Sequence, residues 1–330
     1  MLKRTLLSAI FALATTPLAA QQTLNLGHYF APEDFRGKTA QHFADVLNEK
    51  TDELNVDVYP NESLVKGREA LQATSQGVVD IYSVYAGYLA GQVPIINIFS
   101  LPFPPPSYDD AAMYELAQDS ETVALLDQTF ERFGVKYLGV VNSSGPAQIF
   151  LRKEVASVEG IAGMKIRGAG GLSDTALREL GASVTMLSAA EQFLALQTGT
   201  VDGISTTWSS YVNYGLADVA PTYLAATVVR APYLLLMNKA KYDALSNDAK
   251  VAVGEAVEET VTWSRENFAA EQEELHEQVV SQAQNVVEVS EAENKKLREQ
   301  MQPIYQSFVE DNGDAAAKLM QRWEQVIAAE

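Results

Sequence analysis

The chain of 330 residues contains no cysteine, which removes disulfides, thiol catalysis and thiolate metal sites at one stroke. Histidine is almost as scarce: His28, His42 and His276 are the only three, and none belongs to an HExxH or similar metal-ligand spacing. There is no GxSxG nucleophile elbow, no P-loop and no GxGxxG. The run Gly168-Ala169-Gly170-Gly171 follows a strand but lacks the Walker lysine, so it reads as a turn. Basic residues are also few, 24 against 43 acids, for a net charge of −19. Such a surface does not suit nucleic acid, whose phosphates need basic partners. A locally positive cleft can still take a small anion. Many carboxylates are present, but no pair stands out as glycosidase acids. These absences favour binding without chemistry, with no cofactor and no metal.

Long apolar runs are missing too. Only the leader, 1–20, is strongly apolar. Lys3 and Arg4 supply a positive start, Leu6 to Leu13 a short apolar core, and Pro17-Leu18-Ala19-Ala20 a small-residue end. That pattern predicts a signal peptide with cleavage near Ala20, and the apolar core is too short to span a bilayer. Removing Lys3 and Arg4 leaves 22 basic residues against 43 acids, a net −21 for the mature chain. A leader without cysteines downstream points to a bacterial periplasm and a soluble mature protein.

A mature chain of about 310 residues is long enough for two domains. Its first part alternates strand and helix. Leu24 to Tyr29 reads as a strand, and Gly37 to Thr51 as a helix with Ala40, Phe43, Ala44 and Leu47 on one face. Asn55 to Tyr59 alternates as a strand. Arg68 to Gln76 follows as a helix and Val78 to Tyr82 as a buried strand. The order implies an α/β lobe with a largely parallel sheet.

A weak internal repeat suggests a second such lobe. Ala70-Leu71-Gln72…Gly77-Val78-Val79-Asp80 matches Ala195-Leu196-Gln197-Thr198-Gly199-Thr200-Val201-Asp202. Each is helix, glycine stop, then a Val-Asp strand; shared turn chemistry is the plainer account. Two lobes, each with its own sheet, would put Ser83 to Tyr88 and Ile204 to Trp208 at strand ends facing one cleft, where open α/β sheets bind ligands. Val140 to Pro146 and Val229 to Tyr233 are the candidate crossings. Ala249 to Val280 is rich in Glu, Ala and Gln, which favour helix. Pro303 interrupts the C-terminal helical pattern, and Gly313 ends a further segment.

The most informative stretch is Gly163 to Gly203, GMKIRGAGGLSDTALRELGASVTMLSAAEQFLALQTGTVDG. Ser188 and Glu191 have capping-box spacing, and Gly181 and Gly199 fit left-handed positions past helix ends. The pattern GMKIR…LGAS…E-x-F-x-ALQTG-x-VDG resembles the solute-binding proteins of TRAP transporters, the DctP-like family, over nearly the whole chain. The resemblance implies a bilobal periplasmic-binding-protein-like fold of class α/β, with a cleft between two α/β lobes and a long helix spanning both. The expected division is signal peptide 1–20, lobe I 21–144 plus 233–277, and lobe II 145–232 plus 278–330.

In that family the arginine ending the K-I-R strand grips a solute carboxylate, which here is Arg167. A guanidinium fits a carboxylate through parallel donors; the alternative for Arg167 is a structural ion pair. Sialic-acid and dicarboxylate binders of the family carry another arginine some twenty residues earlier. Here that region is Ser143-Ser144-Gly145-Pro146-Ala147-Gln148, and the family's acidic residue after VDG is also absent. Arg230 could replace the missing cation or form an interlobe salt bridge. Tyr29, Phe30, Tyr85, Tyr88 and Trp208 are candidate ring faces for the solute body, and Ser205 and Thr206 could bond hydroxyls. The expected ligand is a small organic monocarboxylate and the expected partners are TRAP membrane subunits, with the receptor a monomer. A binding protein for an ABC transporter and a periplasmic hydrolase or lyase remain as alternatives.

Overall fold

A computed structural model describes residues 21–328; the leader read at 1–20 lies outside them. Nine strands form one hydrogen-bonded sheet. They are β1 (Gln22–Gly27), β2 (Leu54–Tyr59), β3 (Ile81–Tyr85), β4 (Val135–Leu151), β5 (Lys165–Gly168), β6 (Ser183–Met186), β7 (Gly203–Thr207), β8 (Thr222–Asn238) and β9 (Asn285–Glu288). The order is β2-β1-β3-β8-β4-β7-β5-β6, with β9 beside β8.

Two long strands, β4 and β8, make this bilobal. Val135–Asn142 of β4 and Tyr233–Asn238 of β8 pair with each other and, through β8, with β3 of the first lobe. Ala147–Leu151 of β4 pairs with β7, and Thr222–Ala225 of β8 pairs with β9, in the second. The expectation of a separate sheet per lobe is therefore corrected. The crossings are the interiors of two strands of 17 residues each. They read as connections because Pro146 and Pro232 lack the N–H that a ladder needs, and Gly145 has a positive φ of 72°. The register slips between Ser143 and Pro146 and at three more points along β4. Such bulges bend and twist a strand without ending it.

The repeat is real in three dimensions. β1-β2-β3 and β5-β6-β7 have the same parallel pairing. Gly77 (φ 71°) and Gly199 (φ 72°) end the equivalent short helices. Asp80 Oδ2 accepts from Asn25 N–H at 2.9 Å, and Asp202 Oδ2 accepts from Lys165 N–H at 2.9 Å. Each aspartate stands one residue before its strand and accepts from a backbone N–H of the neighbouring parallel strand. The first strand of the pair begins at Ile81, three residues later than the sequence suggests. Val78 is exposed in the turn instead.

The helix Asn247–Gln282 spans both lobes. Ser246 Oγ caps it by accepting from Ala249 N–H at 3.0 Å. Ala249, Val253, Ala256 and Val261 are buried in the large core that also holds Phe43 and Leu47 of the helix Phe35–Lys50. Val279 lies instead in a second core with Phe150, Tyr211 and Tyr223. At about 1.5 Å per residue its 36 residues are long enough to reach across both.

Residues 278–328, from the segment expected with lobe II, divide. β9 joins the lobe II end of β8, while Gln302–Ala328 lies against Pro94–Ser100 and Asp110–Gln118. Tyr305 Oη donates to Pro102 O at 2.9 Å, and Arg322 Nε lies 3.2 Å from Asp119. Pro303 falls in the first turn of that helix, where a missing N–H costs nothing. Gly313 (φ 63°, ψ −150°) kinks it.

Candidate functional site

Arg167 stands near the carboxyl end of β5, between Thr185 of β6 and Ile204 of β7. Its side chain is among the largest fully buried ones in the protein. Nε donates to Leu187 O and Nη1 to Ser205 O, both at 2.9 Å. Neither acceptor is charged, and Arg167 has no ion-pair partner among the described residues. The structural ion pair weighed for it does not form. The nearby carboxylate of Asp174 is turned onto Gly170 N–H at 2.9 Å, and burial pushes it above the usual range. Asp174 packs so closely over Gly168 that a Cβ there would overlap its carboxylate.

Arg167 forms one wall of a small cavity between the lobes. The second lobe adds Ser173, Ala189, Ser205, Thr206, Thr207 and Ser210. The first lobe faces them with Tyr29, Tyr85, Tyr88 and Tyr233, and Ala147 and Ala231 sit at the crossover. The free volume is about 30 Å³, room for about one water molecule. Two hydroxyls on this wall, Ser173 Oγ and Ser205 Oγ, are buried with no hydrogen-bond partner. Buried polar groups left unpaired are costly. Burial raises the Tyr29, Tyr85 and Tyr88 hydroxyls above the ordinary tyrosine value, so all three are protonated donors at neutral pH.

Contacts cross the closed cleft. Tyr88 Oη accepts from Ala189 N–H at 2.9 Å. Asp34 and Arg36, paired at the start of the helix Phe35–Lys50, reach the helix Trp208–Asn213 on the other side. Arg36 Nη1 donates to Ser210 Oγ at 3.2 Å and to Tyr233 Oη at 3.0 Å. Asn213 Nδ2 donates to Asp34 Oδ2 at 2.7 Å. Burial alone would raise the Asp34 carboxyl; the Arg36 charge overrides it and holds the group below its usual range.

Of the nine residues singled out in the sequence, Arg167, Tyr29, Tyr85, Tyr88, Ser205 and Thr206 meet in this cavity. Three do not. Phe30 is buried in the core, edge-on to Tyr233 at 5.1 Å and beneath the Arg36 guanidinium at 4.5 Å. Trp208 opens a helix, which swings its indole away. Its Nε1 donates to Tyr223 Oη at 3.1 Å, and its ring packs on His276 at 4.6 Å. Arg230 alternates with Ala231 and Tyr233 along β8, so it points to the opposite face. There it pairs with Asp110 at 2.5 Å and donates to Tyr108 O at 3.0 Å. Arg230 and Trp208 line a separate groove of about 730 Å³ behind the crossover, with Arg265, Phe268 and Gln272. That groove is larger, but its Arg230 is already neutralised by Asp110. The Arg167 cavity lies at the carboxyl ends of β3, β5 and β7, where open α/β sheets bind ligands.

The sequence reading missed Tyr233, Ser210, Thr207, Ser173 and Arg36. Tyr233 was legible only as the partner of Ala231 in strand alternation. The Asp34 N-cap followed by Arg36 marks a helix start in sequence. Nothing local shows that this pair faces Ser210, 174 residues away.

The family pattern of DctP, the bacterial extracellular solute-binding protein family 7, matches residues 26–312. The chain belongs to that family. It is similar to the C4-dicarboxylate-binding periplasmic protein DctP of Rhodobacter capsulatus, 25% identical over 95% of this chain and 96% of the other. A TRAP periplasmic solute-binding protein from Chromohalobacter salexigens, solved with D-glucuronate, superposes with a TM-score of 0.82 at 22% identity, over 93% of this chain and all of the other. DctP7 of Bordetella pertussis, a receptor binding pyroglutamic acid, gives 0.83 at 21% identity over 92% and 99%. The DctP-like TRAP resemblance read from the sequence thus holds, as do the bilobal α/β fold and the periplasmic location. DctP-family proteins are extracytoplasmic receptors for solutes. No helix among the described residues is long and apolar enough to cross a membrane.

Proposed function

We propose that this receptor captures a small organic monocarboxylate in the periplasm and delivers it to the membrane subunits of a TRAP transporter. In this reading the solute carboxylate lies on Arg167. Tyr29, Tyr85 and Tyr88 cover its body, and Ser205 and Thr206 bond its polar groups. The observation that carries the reading is a buried guanidinium held by two neutral carbonyls, with no ion-pair partner among the described residues. A buried charge is costly unless paired, and a bound carboxylate completes the pair. The preference for one carboxylate rests on the fate of the other arginines. Arg230 is paired with Asp110 on the far face, and Arg36 is paired with Asp34. The related receptors bind D-glucuronate and pyroglutamic acid, each a monocarboxylate. The R. capsulatus relative takes C4-dicarboxylates, which makes the comparison worth testing.

The lobes are proposed to hinge at Ser143–Pro146 and Arg230–Tyr233, where the β4–β8 register slips. Only closure gives the solute both walls, so binding shifts the open–closed balance. A thermal-shift screen of matched mono- and dicarboxylates tests the proposal, because a ligand of the folded state raises its melting point. Stabilisation by a monocarboxylate is the expected result. Stabilisation by dicarboxylates alone, or by amines lacking a carboxylate, refutes it.

A further inference from the structure

Three of the hydroxyls around the cavity are held as acceptors toward the protein, and so face the cavity as donors. Arg36 Nη1 donates to Tyr233 Oη at 3.0 Å and to Ser210 Oγ at 3.2 Å. The backbone N–H of Ala189 donates to Tyr88 Oη at 2.9 Å. A guanidinium and a peptide N–H can only donate. Each of these three oxygens therefore already accepts, and each keeps one proton to give. Tyr29 and Tyr233 also bond to each other through their hydroxyls, which leaves one proton to give between them, and the Tyr88 and Ser210 protons have no acceptor among the described residues. Thr207 Oγ1 also donates to Ser210 Oγ, at 3.4 Å, which occupies that oxygen further.

The rest of the lining has the same bias. It contains no Asp, Glu, Asn, Gln or His. Leu187 O and Ser205 O, the carbonyls nearest Arg167, are taken by its own Nε and Nη1. Apart from the hydroxyls of Ser173, Ser205, Thr206 and Thr207, which can give or accept, the cavity offers donors and no free acceptor group.

We infer that Arg36 is a positioning residue for solute selection: it fixes Tyr233 and Ser210 as donors, so the site takes an oxygen acceptor beside the carboxylate and rejects an ammonium there. The inference rests on the carboxylate reading of Arg167 and deepens it. An ammonium brings only donors and a positive charge. It would leave Tyr233, Ser210 and Tyr88 facing donors, with no acceptor supplied. A carbonyl, ring oxygen or hydroxyl accepts from them. Arg36 reaches this position from the first lobe and Ser210 from the second, so the selection operates only in the closed cleft. Arg36 is itself held by Asp34, through Nε at 2.7 Å and Nη2 at 2.5 Å, and cannot swing away to make room.

The test compares affinities for acids that differ only in that group. The probes are L-lactate against L-alanine, L-phenyllactate against L-phenylalanine, and L-2-hydroxy-4-methylpentanoate against L-leucine. Calorimetry on the wild type, Tyr233→Phe, Ser210→Ala and the double variant Asp34→Asn/Arg36→Met gives the ratios. In the wild type the oxygen form of a bound pair is expected to bind at least about tenfold tighter than its amino form, from one or more unmade hydrogen bonds. In the double variant the Tyr233 and Ser210 hydroxyls are free to turn and accept, and the ratio is expected to fall below about threefold. Tyr233→Phe removes one donor and should shrink the ratio by weakening the oxygen form alone. It decides the matter if the double variant does not fold. The ratio, unlike overall affinity, does not move with a general loss of stability or closure. Equal binding of both forms by the wild type overturns the inference while leaving the carboxylate reading intact. So does a ratio unchanged in the folded variants. Failure of every carboxylate to bind the wild type overturns the proposed function, and this inference with it.

Discussion

Replacing Arg167 by methionine separates binding from folding. In the unliganded protein the guanidinium is buried and bonded only to Leu187 O and Ser205 O. Methionine keeps most of the volume. It removes two hydrogen bonds from a charged donor, worth about 1.5–3 kcal/mol each. It also removes an unpaired buried charge, whose desolvation costs several kcal/mol. The two effects oppose each other, so the unliganded variant is expected to keep its stability to within about 2 kcal/mol. Binding has no such offset. Truncating one partner of a desolvated charge pair costs about 2–5 kcal/mol, a rise in Kd of roughly 30-fold to several thousandfold. Calorimetry with the solute found in the thermal-shift screen, alongside urea unfolding of the unliganded protein, measures both quantities. An unchanged Kd in a folded Arg167→Met variant refutes the assignment of the anchor. Equal losses in stability and affinity would assign Arg167 a structural role instead.

Arg230→Met should show the reverse profile. Loss of its partly buried contacts with Asp110 and Tyr108 O is expected to cost about 2 kcal/mol in urea unfolding, with solute Kd changed less than about threefold. Burial lowers the His28 imidazole to about 4, below its ordinary value, so the folded state holds it neutral. Its contribution is complete above pH 6.5 and is lost as pH falls from there to about 4, since the unfolded chain takes the proton first. Unfolding free energy should drop by as much as about 3 kcal/mol across that window, and His28→Gln should flatten the drop. Asn213→Ala removes the 2.7 Å bond to Asp34 across the cleft. It should weaken every bound solute by a similar factor, about fivefold, since it acts on closure and not on recognition.

Much of the fold was legible because it is written in local signals. The helix–glycine–Val–Asp unit appears twice in the sequence and twice in space, each time with its aspartate on a neighbouring strand. The Ser188–Glu191 capping box forms as spaced, with Ser188 N–H donating to Glu191 Oε2 at 2.8 Å. Arg167 was legible because a strand of four residues ends beside it. What stayed hidden depends on bends and on phase. Pro146 and Pro232 look like loop residues, yet they sit inside strands whose ladder is broken locally by bulges. Arg230 is one residue out of phase with Ala231 and Tyr233, and that residue decides which side of the sheet it faces. Trp208 follows a strand in sequence but begins a helix in space, a change of direction that hydrophobic periodicity does not reveal. Arg36 acts through partners 174 and 197 residues away, beyond the reach of any local pattern.

The two halves share a scaffold but not a surface, and the difference explains how a closing cleft can select an anion. Superposing the repeats through Asp80 and Asp202 sets Leu26 opposite Ile166 and Gly27 opposite Arg167, because Leu26 pairs with Ile81 and Ile166 with Gly203. A side chain at Gly27 would press on the Tyr82 ring. The first half thus has no room for a cation at the position where the second half holds one. In exchange the first half supplies Tyr29, Tyr85 and Tyr88, where the second has Ala169, Thr207 and Ser210. Charge and small donors lie on one side of the cleft, and ring faces mainly on the other. In the proposed reading a carboxylate is drawn to the half that carries Arg167 even on a chain of net charge −19, because buried charges are screened far less than surface ones. By the same proposal the ring wall meets the solute body only when the lobes close. Affinity in such a cleft depends on the strands that hinge it as much as on the residues that line it.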